Sequence, residues 1–120
     1  MKKVLIIEDD NILQQAMATA LKDAGFEAVQ ALDGEEGVKK SAEETPDLIL
    51  LDLLMPKKDG WETLKEIKDN PKTKKIPIMV LTVYEGEDSI SKCVEMGANG
   101  YLIKSKYSLD EIVDKVKELV

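Results

Sequence analysis

The chain has 120 residues, with 17 lysine-plus-arginine side chains, 24 acidic ones, no histidine and a net charge of −7. Arginine is absent as well, so every cation is a lysine. These facts exclude a histidine base, a phosphohistidine, a histidine metal ligand and a forked arginine clamp on phosphate. The acidic balance disfavours steered binding to nucleic acid or an anionic membrane. With one cysteine, Cys93, there is no intrachain disulfide, and a reducing, cytoplasmic setting is expected.

The length suits one domain, residues 1–120, that buries roughly two-thirds of its unfolded surface. No linker or repeat divides it, and no output domain is expected within it. Apolar runs are too short to span a bilayer, and the basic start leads directly into Glu8-Asp9-Asp10, so no secretory signal is expected.

In chain order, Val4-Leu5-Ile6-Ile7 is a continuous apolar run, the pattern of a strand buried on both faces. A stripe of Ile12, Leu13, Ala16, Met17, Ala20, Leu21 and Ala24 predicts a helix closed by Gly25. Residues 28–32 read as a weaker strand. Residues 34–44 read as a weak helix, with Val38 and Ala42 inward. Leu48–Leu51 is a second buried strand. Trp61, Leu64 and Ile67 mark the next helix, and Ile78–Leu81 the next strand. Ile90, Cys93 and Val94 mark a helix ending at Gly97, and Tyr101–Ile103 is the last strand. Leu109, Ile112, Val113, Val116, Leu119 and Val120 form the final stripe. Asp33 with Glu36, Asp59 with Glu62, and Ser108 with Glu111 have capping spacing, each opening a helix. Strict alternation with short connections implies an α/β fold, a doubly wound five-stranded parallel sheet with helices on both faces.

In such sheets ligands bind beyond the carboxyl ends of the strands. The first strand is followed there by Glu8-Asp9-Asp10, the third by Asp52, and the fifth by Lys104; the fourth ends at Thr82. Alone, each has an ordinary reading. Asp9 or Asp10 can cap the next helix, Thr82 is a β-branched strand residue, and Lys104 is one lysine among many. Cys93 and Trp61 read as packing. Asp52 is harder to dismiss, because an acid inside an apolar stretch is costly unless paired or liganded. Together the residues suit phosphoryl chemistry. Clustered carboxylates attract a hard cation such as Mg²⁺, lysine and threonine meet phosphoryl oxygens, and an aspartate can attack phosphorus.

These residues resemble the receiver domain of bacterial response regulators, over about residues 3–119. The resemblance rests on the run from Val4 to Asp10 and on the stretch Asp52-Leu53-Leu54-Met55-Pro56-Lys57-Lys58-Asp59-Gly60. Val80-Leu81-Thr82 and Gly97–Lys104 complete it. It implies a flavodoxin-like (βα)5 fold with strand order 2-1-3-4-5. It implies Asp52 as phosphoacceptor, and Glu8, Asp9, Asp52 and the Leu54 backbone carbonyl around Mg²⁺. Thr82 and Lys104 would meet the phosphoryl group, and Thr82 with Tyr101 would form a switch pair. It further implies a sensor histidine kinase or histidine phosphotransfer protein as donor, and a downstream protein target at the face of the last two helices and last strand. The family's arginine-dependent dimer is not expected, leaving a monomer or weak dimer.

Three departures stand out. Ser105 replaces a proline that follows a cis bond in the family, which predicts either a trans bond with a rearranged loop or a strained cis bond. Val83 stands where a small residue is usual. Leu54 and Tyr84 stand where polar groups often flank the site, which predicts slow hydrolysis of an acyl phosphate. Leu54 also argues against an aspartate-based phosphatase, which needs an acid there. A phosphorylation-independent interaction module is the competing reading.

Overall fold

The strand–helix alternation closes into a five-stranded parallel sheet in the order β2-β1-β3-β4-β5. The computed structural model describes residues 1–53, 55, 59–83 and 87–120, so Leu54 and Tyr84 lie outside the described residues. The elements are β1 (Lys3–Ile7), α1 (Asn11–Asp23), β2 (Glu27–Ala31), α2 (Gly34–Glu44), β3 (Leu48–Leu51) and α3 (Gly60–Asp69). They continue with β4 (Ile78–Thr82), α4 (Glu87–Glu95), β5 (Gly100–Ile103), a 3₁₀ turn (Lys104–Lys106) and α5 (Leu109–Leu119).

Side chains alternate across a strand, so each run of apolar residues serves two cores. Val4, Ile6, Leu48, Leu50, Met79, Leu81 and Leu102 meet Met17, Ala18 and Leu21 of α1 and Ile112, Val113 and Val116 of α5. Leu5, Ile7, Ile49, Leu51, Ile78 and Val80 meet Leu64 and Ile67 of α3 and Cys93 of α4. β1, β3 and β4 lie inside the sheet and, apart from Lys3 at the start of β1 and Thr82 at the end of β4, are apolar. β2 is an edge strand and only half-buried, which is why its sequence signal is weak. Its outward Gln30 carbonyl accepts from Lys40 Nζ, blunting an edge that would otherwise offer free backbone groups.

Each capping pair is present. The Asp33, Asp59 and Ser108 side chains accept from the Glu36, Glu62 and Glu111 backbones, and Ser108 with Glu111 forms a reciprocal box. Gly25 at φ +94 and Gly97 at φ +99 follow α1 and α4 in the left-handed turn that favours glycine.

Several expected core positions are corrected. Ile12 is 84% exposed, because the buried face of α1 is Gln14, Met17, Ala18 and Leu21, and at about 100° per residue Ile12 lies on the opposite side of the helix. Val94 is 63% exposed; successive helical residues turn by about 100°, and Cys93 takes the inward position. Val120 lies past the end of α5 and is exposed. In α2 the buried residues are Gly34, Gly37 and Ser41, while Val38 and Ala42 are only half-buried. The helix approaches β1 so closely that a Cβ on Gly37 would stand 2.6 Å from Ile7 Cδ1. Leu32 falls just outside β2 and is exposed. No cis peptide bond occurs among the described residues, so the Lys104–Ser105 bond is trans, within the 3₁₀ turn.

Candidate functional site

Parallel register brings the strand ends together. Ile7 pairs with Leu51, and the ladder runs one step further through Asp52 N–H donating to the Ile7 carbonyl at 3.0 Å. Glu8 N–H donates likewise to the Ala31 carbonyl. Glu8 and Asp52 are therefore held by backbone bonds to the ends of neighbouring strands. Both are buried, at 1% and 4% exposure, while Asp9 is partly exposed beside them. Carboxylate oxygens of Glu8, Asp9 and Asp52 all lie within 4.8 Å of one another.

Lys104 reaches this cluster from the end of β5. Its Nζ lies 2.7 Å from Glu8 Oε1 and 3.1 Å from Asp52 Oδ2. Burial works against the Lys104 charge, but the Glu8 contact and the Asp52 and Glu8 charges outweigh it, so its pKa is raised. Burial likewise works against the Glu8 carboxylate. Contact with Lys104 opposes that effect and the Asp52 charge adds to it, leaving the Glu8 pKa at about 7. The Glu8–Lys104 contact is an ion pair without hydrogen-bond alignment, so Oε1 keeps a lone pair without a donor.

Asp10 belongs to the helix. Its side chain accepts from Ile12 and Leu13 N–H at 3.0 and 3.2 Å, and its own N–H donates to Glu8 Oε2 at 3.2 Å. That leaves Asp9 to the cluster. Glu8, Asp9, Asp10, Asp52, Met55, Val83 and Lys104 line an open cleft of about 480 Å³. Val83 is more than half exposed at its wall.

Thr82 and Tyr101 are not among these lining residues. Thr82 is fully buried at the end of β4. Tyr101 is half-buried against the core that contains Val80. Because Val80 pairs with Tyr101 and Thr82 lies two residues beyond Val80, Thr82 and Tyr101 share one face of the sheet.

Two supporting residues carry little sequence signal. Gln14, buried on α1, donates through Nε2 to the carbonyls of Ile6, Glu8 and Ala31 at 3.0, 3.2 and 2.8 Å, fixing the backbone that carries Glu8. A polar residue inside an apolar helical stripe was the available clue. Gly60 lies against the loop after Asp52. A Cβ there would stand 2.2 Å from Leu53 Cα, and its N–H donates to the Leu53 carbonyl at 3.0 Å.

The donor set fits a hard divalent cation. It is all oxygen, and three carboxylates against one ammonium leave two negative charges when all are ionised. The Glu8 carboxyl, buried beside Asp52 with its pKa raised, marks the charge such an ion would relieve.

The chain spans about half the length of curated regulators it matches. One is the alkaline phosphatase synthesis transcriptional regulatory protein PhoP of Bacillus subtilis, 34% identical over 99% of this chain and 48% of PhoP. Among solved structures, the Vibrio cholerae chemotaxis protein CheY4 is 28% identical with a TM-score of 0.93, covering 100% of this chain and 99% of CheY4. The Mn²⁺-bound form of response regulator Rcp1 is 36% identical with a TM-score of 0.82, covering 98% and 93%. The model of the response regulator receiver domain matches residues 4–117. Fold, strand-end chemistry and sequence thus agree that the chain belongs to the response regulator receiver domain family.

Proposed function

We propose that this receiver domain is a phosphorylation switch in which Asp52 takes a phosphoryl group from a phosphohistidine, with Mg²⁺ as cofactor. The observation that carries the reading is the buried Asp52 carboxylate at the floor of an acidic cleft, in contact with Lys104. An Asp52 oxygen attacks phosphorus in line. The P–O bond forms as the P–N bond breaks; the departing imidazole nitrogen takes the electron pair of that bond and the ring leaves neutral with a proton on its other nitrogen, while Asp52 becomes an acyl phosphate.

Glu8, Asp9 and Asp52, with the Leu54 carbonyl, would hold the Mg²⁺. When bound, the ion supplies charge neutralisation to the carboxylates and the transferring group. Lys104 would pair with a phosphoryl oxygen in place of its present carboxylate partners. Thr82 provides a hydroxyl on the sheet face it shares with Tyr101. Movement of that hydroxyl toward the phosphoryl group would let the Tyr101 ring turn inward and change the α4–β5–α5 surface, a shift between two states.

The partners proposed are a sensor histidine kinase or histidine phosphotransfer protein as donor, and a protein target at α4–β5–α5. The chain would act in the cytoplasm, as a monomer or weak dimer, without direct contact to nucleic acid. It would be a switch with self-catalysed phosphorylation and dephosphorylation, rather than a turnover enzyme. Among the described residues no helix is long and apolar enough to cross a membrane.

Intact-protein mass after incubation with acetyl phosphate tests this. The expected result is a Mg²⁺-dependent gain of one phosphoryl group that Asp52→Asn abolishes. If neither acetyl phosphate nor beryllofluoride modifies Asp52, the reading falls to the phosphorylation-independent interaction module.

A further inference from the structure

The loop that carries Glu8 and Asp9 is braced from within. Glu8 N–H donates to the Ala31 carbonyl at 3.0 Å, and Asp10 N–H donates to Glu8 Oε2 at 3.2 Å. The Glu8 carbonyl accepts from Gln14 Nε2 at 3.2 Å, and the same nitrogen serves the Ile6 and Ala31 carbonyls at 3.0 and 2.8 Å. Gln14 lies one turn into α1, with its backbone N–H on the Asp10 carbonyl, and it is buried. One side-chain amide thus ties the ends of β1 and β2 to the start of α1.

Asp9 has no comparable support of its own. It is partly exposed, and its carboxylate makes no hydrogen bond or ion pair among the described residues. The backbone alone aims it, and the peptide that joins Glu8 to Asp9 is the one whose carbonyl Gln14 holds. Gln14 does not line the acidic cleft, so its influence there passes through that backbone.

We infer that Gln14 is a positioning residue that gives the cleft its preference for Mg²⁺ over Ca²⁺, which rests on the reading of the cleft as a Mg²⁺ site. Mg²⁺ binds oxygen at about 2.0–2.1 Å and demands nearly octahedral ligands, whereas Ca²⁺ accepts variable arrangements at about 2.3–2.6 Å. A carboxylate aimed by a fixed backbone serves the ion with the narrower geometry. Loosening that backbone costs Mg²⁺ more than Ca²⁺.

The test is calorimetric titration of metal-free protein with Mg²⁺ and with Ca²⁺. Gln14→Met keeps the length of the side chain and removes its donor. It should weaken Mg²⁺ about tenfold and Ca²⁺ less than about twofold, so the preference for Mg²⁺ falls. Gln14→Asn, which draws the amide back by one methylene, is the milder variant and should lower the preference in the same direction. Thr73→Val removes the buried Thr73 Oγ1 bond to the Ile67 carbonyl, 2.6 Å long and located before β4 at the other end of the sheet. That control loses stability and should leave both Kd values in place. In the wild-type protein, the Gln14 side-chain amide protons should exchange with solvent far more slowly than those of exposed Gln15. Equal weakening of both ions in the Gln14 variants, or of neither, overturns the proposal, as does equal exchange at Gln14 and Gln15. A wild-type protein that binds no Mg²⁺ removes the Mg²⁺ reading and the role of Gln14 together, whereas Mg²⁺ binding with an unchanged preference in the variants removes only the role of Gln14.

Discussion

At the scale of single residues, the acidic cleft is a place where charge is held against its own preference. Glu8 is buried beside Asp52, and its pKa is raised to about 7 from an ordinary value of 4.5. A carboxyl raised on folding stabilises the protein fully below the unfolded value, and that contribution is lost as pH rises through the folded one. In metal-free protein, Glu8 therefore withdraws about 3 kcal/mol of stability between pH 4.5 and 7. Glu8→Gln should remove that loss. Urea denaturation at pH 7 without metal should show the variant to be the more stable protein, with the gap closing toward pH 4.5. Equal pH slopes for the two proteins would contradict this. Gly60 poses a steric problem instead. A methyl group there overlaps the Leu53 backbone, which cannot yield without moving Asp52. Gly60→Ala should cost about 1–3 kcal/mol by denaturant titration and slow phosphorylation by acetyl phosphate.

At the scale of elements, helix ends and one aromatic contact set what is firm. The Ser108–Glu111 box opens α5 directly after the turn that carries Lys104. Ser108→Ala should cost about 1 kcal/mol, read as a lower urea midpoint with an unchanged slope. In α4, Cys93 is buried in the core shared with α3, and Lys92 Nζ stands 4.4 Å from the centre of the Trp61 ring on α3. Trp61 is the only tryptophan of the chain, so its fluorescence reports this contact directly. Lys92→Met should alter the emission and destabilise the protein by about 0.5–1 kcal/mol. An unchanged spectrum would mean that the ring and the ammonium do not meet in solution. The strand and helix signals were legible where burial is two-sided or the apolar stripe is wide, as in β1, β3, β4 and α5. They were weak in β2, which lies at an edge, and in α2, where glycine and serine take the buried positions that apolar residues usually mark.

At the scale of the whole molecule, the cleft draws on the ends of β1, β3 and β5, so binding a cation there ties separate parts of the chain together. A ligand that binds only the folded state stabilises it by mass action. Mg²⁺ at ten times its Kd should add about 1.4 kcal/mol and raise Tm by a few degrees. Asp9→Asn should abolish most of that gain, as thermal melts with and without Mg²⁺ would show. A Tm indifferent to Mg²⁺ in the wild-type protein would remove the cation from the reading.

The order of elements, the parallel sheet and the family were determined by local sequence, because burial on both faces writes itself as runs such as Val4–Ile7 and Leu48–Leu51. The meeting of Glu8, Asp52 and Lys104 was legible too, because each directly follows a parallel strand and so falls at the same end of the sheet. Which acid does what was decided by tertiary structure. Glu8, Asp9 and Asp10 are consecutive in sequence, and only the start of α1 makes Asp10 a cap and leaves Asp9 beside Asp52. The close approaches of Gly37 to Ile7 and of Gly60 to Leu53 were decided there too. Each depends on how far one element stands from another, a distance that side-chain periodicity within a single element does not contain.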